Sequence, residues 1–215
     1  MAAELPHARR ARLGAYGAAQ SQTLLGIALA CRLLTRICHR PVRAWQLRFP
    51  YGGKPYGAAL PDFSISHSGQ WVACAAASAG RVGLDLEVPD NAPLPTFAHC
   101  FDAQELEQAS DARAALGIWC SKEATVKAAG ATLAELRAVT VRGAEARFGG
   151  ERWCVREPAA PAGIICRLVT DREPLALACE QVSWRALWPL QSCRAAMLLG
   201  KYRAGSCAAA IGQSA

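Results

Sequence analysis

The stretch from residue 63 to 87 most constrains the fold. Phe63-Ser64-Ile65-Ser66 alternates apolar and polar residues, the pattern of a half-buried strand. His67-Ser68-Gly69 then turns the chain into Trp71–Ala77, a second and more apolar strand. Residues 81–87 read as a third, with Val82, Leu84 and Leu86 on one face and Gly83, Asp85 and Glu87 on the other. Upstream, residues 21–39 carry a helical repeat. Leu24, Ile27, Cys31, Leu34 and Cys38 share one stripe, Arg32, Arg36 and Arg40 another, and Pro41 ends the helix. The order here is thus helix first, then strands.

The remaining chain repeats that order. A short strand is expected at 44–49, then the turn Tyr51-Gly52-Gly53-Lys54-Pro55. Residues 88–95 hold three prolines and read as a linker. Asp102-Ala103-Gln104-Glu105 has the spacing of a capping box and should open a helix. A longer helix is expected at 113–129, closed by Gly130, with short strands at 139–141, 146–148, 152–155, 164–168 and 175–179. The residues after Trp188 have weak helical character. The expected division is therefore an N-terminal half, 1–88, a C-terminal half, 89–190, and a tail, 191–215. Each half ends in an apolar strand with an Ala-Cys pair, Val72-Ala73-Cys74 and Leu177-Ala178-Cys179.

Composition narrows the class. The 215 residues are 52% hydrophobic, enough for one sizeable core or two small cores sharing an interface. Arg32 and Arg36 interrupt the longest apolar run, so no membrane span is expected. Arg9, Arg10 and Arg12 are not followed by a signal-peptide core. Ten cysteines are scattered without metal-ligand spacing, which suits reduced thiols in a cytoplasmic protein. The net charge of +7 suits an anionic partner. Nucleic acid is disfavoured, because the basic residues are dispersed and no basic stretch is interleaved with aromatics.

Three short patterns carry chemistry. Asp85 and Glu87, at i and i+2 on a strand, project from one face and repel unless a cation or basic group joins them. They are either an acidic, solvated strand end or ligands for a hard cation such as Mg²⁺. In Trp119-Cys120-Ser121-Lys122-Glu123-Ala124-Thr125-Val126-Lys127, residues 119, 123 and 127 share roughly one helical face. Glu123 and Lys127 are either an ordinary surface ion pair or a further metal carboxylate with a phosphate-facing lysine. His67 among hydroxyl residues is either a phosphate contact or, less favoured because adjacent strand residues diverge, half of a nucleophile–base pair. Lys54 on its rigid turn is either a phosphate-facing or an ordinary exposed charge.

In order and spacing, Gly53-Lys54-Pro55, Phe63-Ser64-Ile65-Ser66-His67-Ser68-Gly69 with Trp71-Val72, Val82-Gly83-Leu84-Asp85-Leu86-Glu87 and the segment from Trp119 to Lys127 closely resemble 4′-phosphopantetheinyl transferases. The likeness is to their larger, single-chain class. It implies two similar α+β halves forming an intramolecular pseudo-dimer with the active site in the cleft between them. It implies that Asp85, Glu87 and Glu123 ligate Mg²⁺, and that Lys54, Ser66, His67, Thr23 and Lys127 contact coenzyme A. Glu123, Lys127 and His67 would act in catalysis. The implied reaction moves phosphopantetheine from coenzyme A to a serine of an acyl or peptidyl carrier protein. Adenosine 3′,5′-bisphosphate leaves, and Glu123 or a water at the metal takes the serine proton. The implied partners are the carrier protein and coenzyme A, with no nucleic acid and no membrane, and the chain acts as a monomer. Gln22 stands where relatives often carry a basic residue, with Arg9, Arg10 and Arg12 as candidates to compensate. The alternative is a non-catalytic coenzyme A or carrier-protein binding module.

Overall fold

The structure is a computed structural model that describes residues 17–89, 98–173, 176–183, 187 and 206–213. Arg9, Arg10, Arg12 and most of the proline-rich stretch lie outside these residues. The fold is α+β, as the resemblance implies.

Helix α1 (Gly17–Cys38) buries a wider stripe than expected. Leu25, Leu29 and Leu33 join Ile27 and Leu34 in the core, whereas Leu24, Cys31 and Cys38 are only partly buried at its margin. Burying each leucine or isoleucine contributes about 1.5–3 kcal/mol before entropy is counted. The segment expected as a strand at 44–49 begins instead as a single 3-10 turn at Ala44–Gln46. The Gln46 side chain accepts a hydrogen bond from the Arg43 amide at 2.7 Å and draws the backbone into that turn. Only β1 (Leu47–Arg48) remains extended, paired with β2 (Tyr56–Gly57).

Strands β3 (Asp62–Ser68), β4 (Trp71–Ala77) and β5 (Val82–Glu87) follow the expected pattern, β3 continuing as far as Ser68. After them come α2 (Ala103–Gln108) and α3 (Ala112–Ala129). The capping box at Asp102 and Glu105 forms as its spacing predicts. Asp111 caps α3 by accepting the Ala114 amide at 2.7 Å, and Gly130, at φ 73°, closes the helix in the left-handed conformation. Then come β6 (Thr140–Arg142), β7 (Glu145–Phe148), β8 (Glu151–Arg156), β9 (Ile165–Thr170) and β10 (Ala176–Ser183). A last strand, β11 (Ser206–Gln213), lies in the stretch expected to have weak helical character. Its backbone pairs antiparallel with the alanine-rich β4 and parallel with β10. Strand pairing over eight residues overrides the local helix preference of its three alanines.

These strands form a four-stranded sheet, β10-β11-β4-β3, and a five-stranded sheet, β5-β9-β8-β7-β6. On one side of the first sheet, Phe63, Val72, Cys74 and Ala76 pack against α1. On its other side Ala73, Ala75 and Ala77 meet Val82, Leu84, Leu86, Cys166 and Leu168 of the second sheet. The second sheet's far face packs against α3 through Val141, Ala146, Trp153, Val155 and Val169. The layers are therefore helix, sheet, sheet, helix. Strand pairing crosses the linker: β5 pairs with β9, while β10 shares a sheet with β3 and β4. Arg32 and Arg36 of α1 also reach Glu180 of β10, the first at 2.8 Å.

A candidate active site where a strand meets a helix

The edge strands β3 and β5 run side by side, joined through side chains rather than backbone hydrogen bonds. Every second residue of β3 turns a polar side chain to β5. Asp62 Oδ2 accepts the Val82 amide at 2.7 Å and Ser64 Oγ the Leu84 amide at 3.0 Å. Ser66 Oγ accepts the Leu86 amide at 3.4 Å and Ser68 Oγ the Val88 amide at 3.2 Å. The alternation that identified β3 as a strand thus also supplies a seam, and its polar face is buried rather than solvated: Ser64, Ser66 and Ser68 are all buried.

On its other side β5 lies directly under α3. A Cβ added to Gly83 would collide with the Ala124 carbonyl oxygen and the Ala128 amide, so only glycine allows this approach. The contact brings the Asp85 face of the strand against the Glu123 and Lys127 face of the helix. Lys127 Nζ is 2.6 Å from Asp85 Oδ1, 3.3 Å from Glu123 Oε2 and 3.4 Å from Ser66 Oγ. Ser66 also donates to Asp85 Oδ1 at 2.7 Å, and Ser68 donates to Glu87 Oε2 at 2.6 Å.

This arrangement is electrostatically tense. Asp85 is only 2% exposed, and its Oδ2 is buried without a hydrogen-bond partner. Burial first, and the Asp85 charge second, push the Glu123 carboxyl up to about 7, against the pull of Lys127. Burial also raises Glu87, opposed by the Ser68 hydroxyl and reinforced by Asp85. For Lys127, burial acts to lower the pKa, but Asp85 and Glu123 outweigh it and hold the ammonium above its ordinary range. The Cys120 thiol nearby is raised well above its ordinary range by burial and then by Asp85, which leaves it inert.

Of the residues singled out from sequence, Ser66, Asp85, Glu123 and Lys127 come into direct contact, with Glu87 beside them on the same strand face. Others lie apart. Lys54 pairs with Asp62 and donates to the Val82 carbonyl at 2.7 Å, at the far end of the seam. Burial lowers its pKa, and the neighbouring Asp62 charge opposes the shift. His67 reaches the surface at the end of β3, and partial desolvation of its ring, then the Lys127 charge, lower its pKa. Thr23 is half-buried on α1, where its neighbour Gln22 donates to the Gly69 carbonyl in the turn between β3 and β4. Among the described residues, no three His, Cys, Asp or Glu side chains converge as a ready metal cage; Lys127 stands between two of the carboxylates instead.

Sequence reasoning missed Asp62 and Ser68, although the period-two run of polar residues from 62 to 68 was available as a signal. It also missed the buried ion pair of Lys122 and Glu105, at 2.8 Å, for which the capping-box glutamate was the one hint.

Residues 81–164 match the family model of the 4′-phosphopantetheinyl transferase superfamily. That span holds Asp85, Glu87, Glu123 and Lys127, and the resemblance read from the motifs is borne out there. A 4′-phosphopantetheinyl transferase of Bacillus subtilis is 37% identical over 88 residues, 36% of this chain and 38% of that protein. The aligned region thus spans well under half of either chain.

Proposed function

We propose that this chain is a Mg²⁺-dependent 4′-phosphopantetheinyl transferase. It takes the phosphopantetheine group from coenzyme A, transfers it to a serine of an acyl or peptidyl carrier protein, and releases adenosine 3′,5′-bisphosphate. The observation that carries this reading is the meeting of Lys127 with Asp85 and Glu123, beside a buried Asp85 oxygen that has no partner. A site so rich in desolvated carboxylate is costly in an ordinary core and is explained by a cationic ligand. We further propose that the halves on either side of the linker act as a pseudo-dimer, in a cytoplasmic monomer.

The donor chemistry fits magnesium. Asp85, Glu87 and Glu123 offer hard carboxylate oxygens, and the orphaned Asp85 Oδ2 is a buried acceptor awaiting a charge. When bound there, the ion would neutralise charge on the pyrophosphate oxygens. Lys127 would add a fixed positive charge at the same phosphates, since transfer of this kind needs positioning and charge stabilisation more than covalent help. Glu123, 3.3 Å from Lys127, is the candidate to accept the proton of the attacking serine. Lys54, His67 and Thr23 would hold more distant parts of coenzyme A.

The test is incubation with coenzyme A, Mg²⁺ and an apo carrier protein, followed by intact mass spectrometry of the carrier. A phosphopantetheine-sized gain is expected, lost with Glu123→Ala and with a chelator. No gain on several carriers, from folded protein that still binds coenzyme A, would favour a non-catalytic binding module.

A further inference from the structure

The seam between β3 and β5 contains a repeated device. Ser66 donates to the Asp85 carboxylate at 2.7 Å while accepting the amide of the next residue, Leu86, at 3.4 Å. Two residues on, Ser68 donates to the Glu87 carboxylate at 2.6 Å while accepting the Val88 amide at 3.2 Å. The same connection occurs twice in register, each hydroxyl tying one carboxylate to the backbone beside it. Ser64 forms a third rung of different character. It accepts the Leu84 amide at 3.0 Å, and its own proton is directed at the Leu84 carbonyl at 3.5 Å rather than at a carboxylate.

A serine hydroxyl has one proton to donate. Ser66 and Ser68 direct theirs to Asp85 and Glu87, within a buried seam. We propose that Ser66 and Ser68 are positioning residues that lock the orientations of Asp85 and Glu87 and so preform the cation-binding face, rather than contacts for coenzyme A. This rests on the transferase reading and deepens it, because Ser66 moves from the nucleotide-binding set to the metal-orienting set. Carboxylates that bind a metal need partners that fix their rotamers, and loss of such a partner lowers metal affinity by about 10–100-fold. Ser66 has a second function in the device: its Oγ accepts from Lys127 Nζ at 3.4 Å, and serine and lysine both donate to the same Asp85 oxygen, Oδ1.

The experiment compares the three rungs. Ser64→Ala, Ser66→Ala and Ser68→Ala are made in the full chain, with Ser68→Thr to restore a hydroxyl. Mn²⁺ binding is followed by the loss of its free-ion paramagnetic resonance signal, coenzyme A binding without metal by calorimetry, and folding by circular dichroism. The expected result is Mn²⁺ binding weakened at least tenfold in Ser66→Ala and Ser68→Ala. It should be close to wild type in Ser64→Ala and recovered in Ser68→Thr, with coenzyme A affinity within about twofold throughout. In turnover, kcat should fall while KM for coenzyme A holds. A purely structural seam predicts that all three alanine variants behave alike, and that outcome overturns the proposal. So does a loss of coenzyme A affinity in Ser66→Ala with Mn²⁺ binding intact, or a wild-type chain that binds no Mn²⁺. If Ser66→Ala fails to fold, Ser68→Ala against Ser64→Ala decides the question alone. Should the rung pattern hold while no carrier is modified, the positioning device stands and the transferase reading falls.

Discussion

Lys122 and Lys127 sit five residues apart on α3, both paired with carboxylates, yet they sit in opposite kinds of environment. Lys122 is 1% exposed against a Glu105 that is 0% exposed, 2.8 Å away. Lys122 also donates to the Val139 carbonyl, while Glu105 accepts the Asp102 amide at 2.9 Å and the Val141 amide at 2.8 Å. Every charge there is answered. Lys127 keeps 23% of its side chain exposed, stands between two carboxylates, and has an unpartnered Asp85 oxygen close by. Both pairs bury charge, so burial alone does not mark a site. Incomplete satisfaction does: in the first network both charged groups are fully partnered, whereas in the second the buried Asp85 Oδ2 has no hydrogen-bond partner.

Breaking each network separately should show this difference. The largest effect is expected from Lys122→Ala, which removes the nearer of the two cations on buried Glu105 and leaves only Arg142 Nη1 at 3.8 Å, and it should cost about 3 kcal/mol in denaturant unfolding. Added Mg²⁺ should recover none of it, because the pair is sealed. Lys127→Ala leaves Asp85 similarly stranded, so it too should be less stable in the absence of metal, but here Mg²⁺ should restore much of the loss. Its transfer rate should still fall by about 10²–10³-fold, since a fixed donor aimed at developing charge is gone. Equal recovery of both variants by Mg²⁺, or of neither, would break the comparison.

A smaller effect is expected from pH. The Glu123 carboxyl is held at about 7, above the ordinary value of 4.5. Between those limits the folded chain binds a proton that the unfolded chain has released. Stability of the metal-free protein should therefore fall as pH rises through that window, and Glu123→Gln should flatten the decline. Because protons compete with the metal for the same oxygens, Mn²⁺ affinity should rise with pH up to about 7 and then level off. Calorimetric titration across that range checks the sign, and affinity independent of pH would remove Glu123 from the ligand set.

The parts of this contrast that were legible in the sequence are those set by local geometry. The i,i+2 spacing of Asp85 and Glu87 and the i,i+4 spacing of Glu123 and Lys127 determine faces, and the structure keeps them. Which face meets which is a long-range matter. Ser64, Ser66 and Ser68 alternate in the way an exposed strand face does, and nothing local says that another strand's amides will bury them. Gly83 reads as a weak point in a strand until α3 is seen to lie across it. Glu105 shows only its capping-box role in the sequence and Lys122, 17 residues on, shows none, since their pairing depends on how α2 packs against α3. The β11 strand was hidden for the same reason: its alanines favour helix locally, and only pairing with β4 makes them extended.

The smallest predicted effect tests whether the two lysines really report on separate networks or on one rigid helix. Asp111 caps α3 through the Ala114 amide, and its backbone carbonyl accepts the Ala115 amide at 3.0 Å. Asp111→Ala should cost about 1 kcal/mol of stability, the usual loss for an N-cap. Lys122, Glu123 and Lys127 lie beyond the first turn and are anchored by Glu105, Asp85 and the close approach of Gly83. Fraying at the cap should therefore stop before it reaches them, leaving Mn²⁺ affinity and transfer rate within about twofold of wild type, a shift below 0.5 kcal/mol. If metal affinity instead falls along with stability, α3 moves as a unit, and the distinction between a closed and an open network would have to be drawn for the whole helix rather than for two of its lysines.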